Sequence, residues 1–278
     1  SAYQLVESYL EMIPLGSKVR HLDFAIADGN KALEMLFRFP SDKTITVDWG
    51  DGTNNVYTGA NNTDVVLNKT YSEPGNYQIK LFGDYLDLTH LDCANQLLLG
   101  DISNWSVLTN LIYLYCNNNR FTGDISGWST LTKAERIYCF INYLTGDLSS
   151  WSSCTSLKLL NFSGTNNYFY GNLSSWSALT SLLYVVATSQ NFTALNINSR
   201  PNMINFMDNS FPTAAVDSIL NQLANIYQSE PPRLNTTLNL SGSSMGIPTG
   251  GESNTDITRL VGYYTAAELI LTITIRTS

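Results

Sequence analysis

Apolar positions along this chain follow three rhythms, and each predicts a different kind of element. Between residues 85 and 211 the rhythm is long. One stretch reads Leu108, Leu111, Leu114, Cys116, Asn119, Phe121, Gly123, Ile125. The next reads Leu131, Ala134, Ile137, Cys139, Asn142, Leu144, Gly146, Leu148, and a third Cys154, Leu157, Leu160, Phe162, Asn167, Phe169, Gly171, Leu173. The glycines Gly100, Gly123, Gly146 and Gly171 stand 23, 23 and 25 residues apart, and each leads to a tryptophan: Trp105, Trp128, Trp151 and Trp176. Self-similarity at such a period marks a stacked unit. One unit cannot bury its apolar face alone, whereas neighbours in register make a continuous core. The pattern predicts one short strand per unit, such as residues 113–117, parallel to its neighbours at about 4.8 Å. The chain then turns and returns along the other side.

Within this frame each repeated residue has a structural task. Asn119, Asn142 and Asn167 form a buried ladder whose amides satisfy turn backbone that water cannot reach. Gly123 and its equivalents permit a conformation or an approach that a Cβ would hinder. The Asp-x-Ser that follows suits a turn or cap, and the indoles stack along the outer side.

Before the repeats the rhythm is two. A strand over residues 44–48 runs into Trp49-Gly50-Asp51-Gly52, a tight-turn sequence, and another follows Glu73-Pro74-Gly75. Residues 19–40 supply earlier strands. After the repeats the rhythm is that of a helix over residues 212–227, with Ala215, Val216, Ile219, Leu220, Leu223 and Ile226 on one stripe. Asp217 is placed in its early turns, where the helix dipole favours it. Strands follow at 236–242 and 269–277, joined by a Gly/Ser-rich loop over 243–256. Residues 1–15 read as a short helix or docking segment.

The long rhythm resembles the leucine-rich repeat, L-x-x-L-x-x-L-x-L-x-x-N-x-L-x-G-x-I. Weaker units flank it: Leu88, Leu91, Cys93, Leu98 with Gln96 at the asparagine position, then Leu179, Leu182, Val185, Ala187, Gln190, Phe192, and a frayed Ile204, Phe206, Asn209, Phe211. Asp48-Trp49-Gly50-Asp51-Gly52 with Tyr71, Pro74, Gly75 and Tyr77 resembles a PKD-type immunoglobulin-like β-sandwich. That resemblance implies a spacer or adhesion module outside the cell. The "VDSIL" and "TLNLSG" stretches are similar to closing units of leucine-rich proteins of bacterial surfaces and phage tails. The expected fold is mixed, mainly β. An N-terminal segment (1–17) precedes a PKD-like sandwich (18–84), a leucine-rich solenoid with a parallel sheet (85–211) and an α/β cap of helix and strands (212–278).

Composition narrows the function. Apolar residues make up 44% of the chain, enough for a core, but charged residues only 14%, against the usual quarter. That balance suits secreted, cell-surface and virion proteins. The net charge is −8 with no Lys/Arg cluster, which excludes a phosphate-backbone binder. No apolar run reaches membrane-spanning length. The chain starts at Ser1 with no visible signal peptide, which reads as processing or a fragment.

Candidate chemistry is sparse. His21 and His90 fall in different modules, and no hydrolase, zincin, P-loop or dinucleotide motif appears. Cys93, Cys116 and Cys139 share one inward register and Cys154 replaces a leucine, so the four read as free thiols in the core. One Asp per turn is too few for calcium, which takes six to eight oxygens, and Asp48 and Asp51 hold a turn. No catalytic residue, metal or cofactor is assigned.

The strand residues flanking the inward ones face the concave side. They run His90, Asp92, Ala94; Tyr113, Tyr115, Asn117; Arg136, Tyr138, Phe140; Leu159, Asn161, Ser163; Tyr184, Val186, Thr188; and Met203, Asn205, Met207. Inward positions repeat and these vary, which is the pattern of a scaffold carrying a grafted surface. Tyr113, Tyr115, Arg136, Tyr138, Phe140 and Tyr184 are the candidate ligand-binding residues, because aromatics and Arg are typical anchors. The expected function is non-catalytic recognition of a host or cell-surface protein or glycan, by a bacterial surface adhesin or phage receptor-binding protein. The alternative is a structural virion or surface component whose solenoid packs against sister chains. A carbohydrate-active enzyme ranks last.

Overall fold

A strand that pairs on one side only leaves a row of backbone groups unsatisfied, so the pairing order explains much of this molecule. The computed structural model describes residues 21–26, 32–61, 63–73, 75–229, 232, 235–243, 245–250, 254–267 and 270–275. Six strands come first: β1 (Leu22–Ile26), β2 (Ala32–Arg38), β3 (Thr44–Asp48), β4 (Asn54–Thr58), β5 (Val65–Thr70) and β6 (Tyr77–Gly83). The repeats then alternate short and longer strands. The short ones are β7 (His90–Asp92), β9 (Tyr113–Tyr115), β11 (Arg136–Tyr138), β13 (Leu159–Asn161), β15 (Tyr184–Val186) and β17 (Met203–Asn205). The returns are β8 (Leu98–Asp101), β10 (Arg120–Asp124), β12 (Tyr143–Asp147), β14 (Tyr168–Leu173) and β16 (Asn191–Leu195).

Every repeat therefore feeds two sheets. The short strands stack in parallel in a ten-stranded sheet and the returns in a nine-stranded one. The parallel strand of each unit matches the sequence expectation. The return along the other side, to which the sequence pattern assigns no element, is a second strand. Its alternation shows one large inward residue, Phe121, Leu144 or Phe169, with only a glycine two positions on, too short a run to read as period two. The first strand is also shorter than 113–117. After Cys116 the backbone bends inward, and Asn118 takes a left-handed φ of 54°.

The bend is held by the amide ladder. Asn142 Oδ1 accepts from Phe121 N at 3.0 Å, and its Nδ2 donates to Cys116 O (3.0 Å) and Cys139 O (3.1 Å). Asn119 and Asn167 repeat the arrangement. Gln190 and Asn209 continue it, accepting from Phe169 N and Phe192 N. All five side chains are buried. Each amide thus ties its own coil to the one before.

A second ladder runs along the return side. Asp101 Oδ1 accepts from Ser103 N (2.8 Å) and Ser103 Oγ (2.6 Å), while Ser103 Oγ accepts from Asp124 N of the next unit (2.9 Å). Ser126 and Ser149 repeat the link to Asp147 N and Asn172 N. Gly123 packs on this pair with a φ of +117°. 3-10 helical turns follow, such as Ser126–Thr130. Each carries its tryptophan into the core, and Trp105, Trp128 and Trp151 stack at 6.4 Å between successive centroids.

The first six strands extend both sheets. β1 lies antiparallel between β6 and β8, and β2 antiparallel between β5 and β7. Gln96, at the ladder position of the first unit, accepts from Glu34 N of β2 at 3.0 Å and donates to Ala94 O. Asp48 and Asp51 hold the Gly50–Gly52 turn through Gly50 N and Thr53 N, and the Tyr71 hydroxyl donates to Trp49 O at 2.9 Å.

At the other end α1 (Thr213–Ser229) packs beside β16, burying Val216, Ile219, Leu220 and Leu223. Then β18 (Thr236–Leu240) and β19 (Leu271–Ile275) continue the ten-stranded sheet. Two expectations change here. The connection over 243–256 leads into a second helix, α2 (Thr255–Ala266), capped by Asn254 Oδ1 on Asp256 N (2.9 Å) and Ile257 N (3.3 Å). Asp217 lies past the first turn of α1, and it accepts from Thr249 N at 2.9 Å, pinning that connection instead of answering the dipole. The 1–17 segment falls outside the described residues. No described helix is long and apolar enough to cross a membrane.

The return-side ladder makes a direct prediction. A Cβ at Gly123 would collide with the Asp101 carboxylate oxygen and lie 2.6 Å from Ser103 Oγ, in a backbone conformation L-residues rarely adopt. At Gly127 the same Cβ would meet only the Ser106 side chain, at ordinary contact distances of 3.6 and 3.9 Å. Gly123→Ala should cost about 2–3 kcal/mol in urea unfolding, with Gly127→Ala near neutral. Equal midpoints for the two variants would refute the packing account.

Candidate binding face

Alternation along the short strands decides which side chains reach the open face. Leu114, Ile137 and Val185 point inward, so Tyr113 and Tyr115, Arg136 and Tyr138, and Tyr184 flank them on the outside of the ten-stranded sheet. All five are half-buried, as is Phe140 two residues past β11. Register sets them in rows. His90, Tyr113, Arg136, Leu159, Tyr184 and Met203 lie side by side across the strands. Asp92, Tyr115, Tyr138, Asn161, Val186 and Asn205 form the row beside it.

Five of the six expected residues make one cluster. Tyr115 meets Tyr138 edge-on at 5.3 Å, and Tyr113–Tyr115 and Tyr138–Phe140 close at 6.5 and 6.4 Å. The Arg136 guanidinium lies 4.8 Å from the Tyr113 ring centroid, and its Nη1 is 3.5 Å from the Tyr115 hydroxyl. That hydroxyl, with the surrounding rings, raises the Arg136 pKa. Burial raises that of Tyr138. Tyr184 stands one strand further on, beyond Leu159 and Asn161. Of the other residues expected on this face, Asn117 and Val186 are buried at 7% and 8% exposure.

The structure adds His90 and Asp92 to the edge of the cluster. The His90 ring meets Tyr113 edge-on at 4.3 Å, and Nδ1 is 3.0 Å from Thr89 Oγ1. Its Nε2 is buried without a partner. Burial lowers its pKa, helped by the Arg38 and Arg136 charges against Asp64. Burial also raises the Asp92 carboxyl, while a bond from Ala94 N opposes it. The same bond recurs along the row: Asn161, Asn205 and Asn239 accept from the N–H two residues on, at 3.1–3.2 Å. An Asp or Asn ending a three-residue strand was the available signal for this Asx turn.

A second aromatic group lies on the opposite sheet. Tyr143, Tyr168 and Tyr170 are exposed on β12 and β14, with Tyr168 and Tyr170 6.0 Å apart. Sequence reasoning missed it because it assigned no element to the return of each unit.

The four cysteines are free and buried. Cys93, Cys116 and Cys139 follow each short strand in one register, and burial pushes their thiols up. Cys154 is pushed up to about 11. Among the described residues no three His, Cys, Asp or Glu side chains group as a metal site.

No protein-family model matches this sequence, and no curated protein does. Among solved structures the chain is similar to the BIR2 ectodomain from Arabidopsis thaliana, with 17% identity, a TM-score of 0.35, and coverage of 43% of this chain and 66% of that one. It is similar to the PEPR1–AtPEP1 structure at 18% identity and TM-score 0.37, covering 56% of this chain and 26% of that one. It is also similar to an internalin, InlF, of Listeria monocytogenes at 20% identity and TM-score 0.30, covering 68% of each chain. The chain thus spans less than two thirds of the first two. These neighbours are leucine-rich repeat proteins, and the fold itself rests on the strand register described above.

Two measurements follow from this geometry. Raised, buried thiols should not react with a disulfide reagent near pH 8 in the native chain, and all four should react in denaturant; rapid native labelling would contradict their placement. The lowered His90 pKa means the unfolded chain binds the proton more readily. Its contribution to stability is present in full above the ordinary value of 6.5 and falls as pH drops through that value towards the folded-state pKa. Urea unfolding between about pH 8 and pH 5 should show this slope, and His90→Asn should flatten it; an unchanged slope would count against the assignment.

Proposed function

We propose that this chain is a non-catalytic recognition module that binds an extracellular protein or glycan through the open face of its ten-stranded sheet. One observation carries the reading. The inward positions of the short strands are uniformly apolar, while their outward neighbours gather Tyr113, Tyr115, Tyr138, Phe140 and Arg136 into one patch. Tyr and Arg dominate binding hot spots because each gives large contact area or directional bonds for little flexibility lost. Tyr184 extends the patch along the same row. The remaining surface is poor in charge and rich in Asn, Ser and Thr, which suits a surface adhesin or a phage receptor-binding protein. In that reading the 18–84 region is a PKD-like spacer continuous with the solenoid. It needs no cofactor and no covalent step.

A second reading has its own support. Exposed Tyr143, Tyr168 and Tyr170 on the opposite sheet suit packing against sister chains in a virion or surface layer.

The test is attachment of the purified chain to arrays of glycans and surface-protein ectodomains. Tyr115→Ala and Tyr138→Ala should each weaken it by about 2 kcal/mol, about thirtyfold, with the circular dichroism melt retained. Undiminished attachment by the double variant would remove the open face as the binding site.

A further inference from the structure

Arg136 is the anomalous charge on the open face. The chain as a whole carries −8. The other arginine of that row, Arg38, is neutralised by Asp64 at 2.9 Å. Among the described residues Arg136 has no carboxylate within ion-pair distance; its neighbours are the Tyr113 ring and the Tyr115 hydroxyl. The 3.5 Å separation from that hydroxyl is the outer limit of a hydrogen bond, and Arg136 Nε is buried with no acceptor. A guanidinium offers five donors in a planar fork that matches a carboxylate. Here the plane is held by a ring and the donors are mostly unspent. His90, the nearest titratable cation in the row, is held towards its neutral form by burial. The site therefore presents one fixed positive charge.

Two features indicate what carries the anion. A lone cation on an acidic chain fits one isolated anionic group, because the field of the whole molecule opposes a polyanion. The flanking row begins at Asp92 and is interrupted by the buried Val186, and its asparagines are donors. Asn161, Asn205 and Asn239 spend Oδ1 on their own turns, which leaves the amide Nδ2 donors for a ligand. Thr237, Thr272 and Thr274 occupy outward positions on β18 and β19. Asn161 stands on the strand next to Tyr138, and the other amides and hydroxyls continue along the same sheet away from the half-buried rings; such a track suits a ligand rich in oxygen acceptors. A protein interface asks instead for an apolar centre within roughly 800 Å² per partner.

We propose, building on the recognition reading above, that the open face binds a glycan bearing a single carboxylated sugar. Arg136 takes the carboxylate, and the sugar rings lie against Tyr115, Tyr138 and the asparagine row.

The experiment uses the whole chain and oligosaccharides ending in sialic or glucuronic acid, each paired with its methyl ester. The acid should bind about ten- to a hundredfold tighter than the ester, the range for a hydrogen bond to a charged group. Arg136→Gln should reduce acid binding to the ester level, and Arg136→Lys should keep part of the preference, because charge survives while the fork is lost. Thermal melts of both variants establish that they fold. Equal binding of acid and ester, or full acid binding by Arg136→Gln, overturns the proposal. So does a silent panel when an ectodomain binds in a Tyr115- and Tyr138-dependent way, an outcome that leaves the recognition reading standing. If neither tyrosine matters for any ligand, both fall.

Discussion

A buried amide that closes its own coil and the coil before it is the interaction on which this molecule depends. A chain that reverses inside a core must bend its backbone where water cannot follow, and every unpaired peptide group there costs about 1–3 kcal/mol. Asn142 answers three such groups at once: Phe121 N, Cys116 O and Cys139 O. The partners straddle two units, so the same side chain that permits the bend also fixes the spacing between coils. Register then follows without further instruction. One coil cannot slip against the next without orphaning donors and acceptors on both.

The return side solves the same problem with smaller groups. The Ser126 hydroxyl donates to Asp124 and accepts from Asp147 N, chaining consecutive turns. The chain works only if the next residue row comes close, and Gly146 leaves that room. Between the two ladders lie the indoles, leucines and thiols, filling a core that is translated rather than enlarged. Trp151 and Trp176 also donate to the carbonyls of Ile125 and Leu148. Trp105 and Trp128, nearer the start of the stack, bury their indole N–H without a partner, so the stack tolerates some polar loss in exchange for ring packing.

This economy explains what the sequence made readable. A residue with the same neighbours in every unit recurs, so the Asn ladder, the Gly-Asp-Ser turn, the inward cysteines and the outward position of Tyr115 and Tyr138 could all be placed from spacing. Elements outside the repetition could not. The return strands bury only one or two large apolar side chains each, and Tyr143 and Tyr168 look like loop aromatics until the sheet is assembled. The α2 helix follows a Gly/Ser-rich connection, and its signal is brief: an Asn254 cap and the inward Ile257, Leu260 and Tyr264. Asp217 misled for a different reason. Its partner, Thr249 N, is distant in sequence, and no local rule anticipates it.

Rigidity at the ends matters for the face in the middle. β1 and β2 pair directly with β8 and β7, so the first repeat has no free edge on either sheet, and β17 to β19 extend the other flank. The strands that carry Tyr113, Tyr115, Arg136 and Tyr138 are therefore paired on both sides, and Asx turns fix the ends of β7 and β13 around them. Rings that lean on one another, with a guanidinium stacked among them, lose little freedom when a partner arrives. Ordering costs commonly consume much of the gross energy of association. On the recognition reading proposed above, a scaffold that has already met those costs in folding would hold a ligand with few contacts, as a face with one unpaired cation and a handful of rings would require.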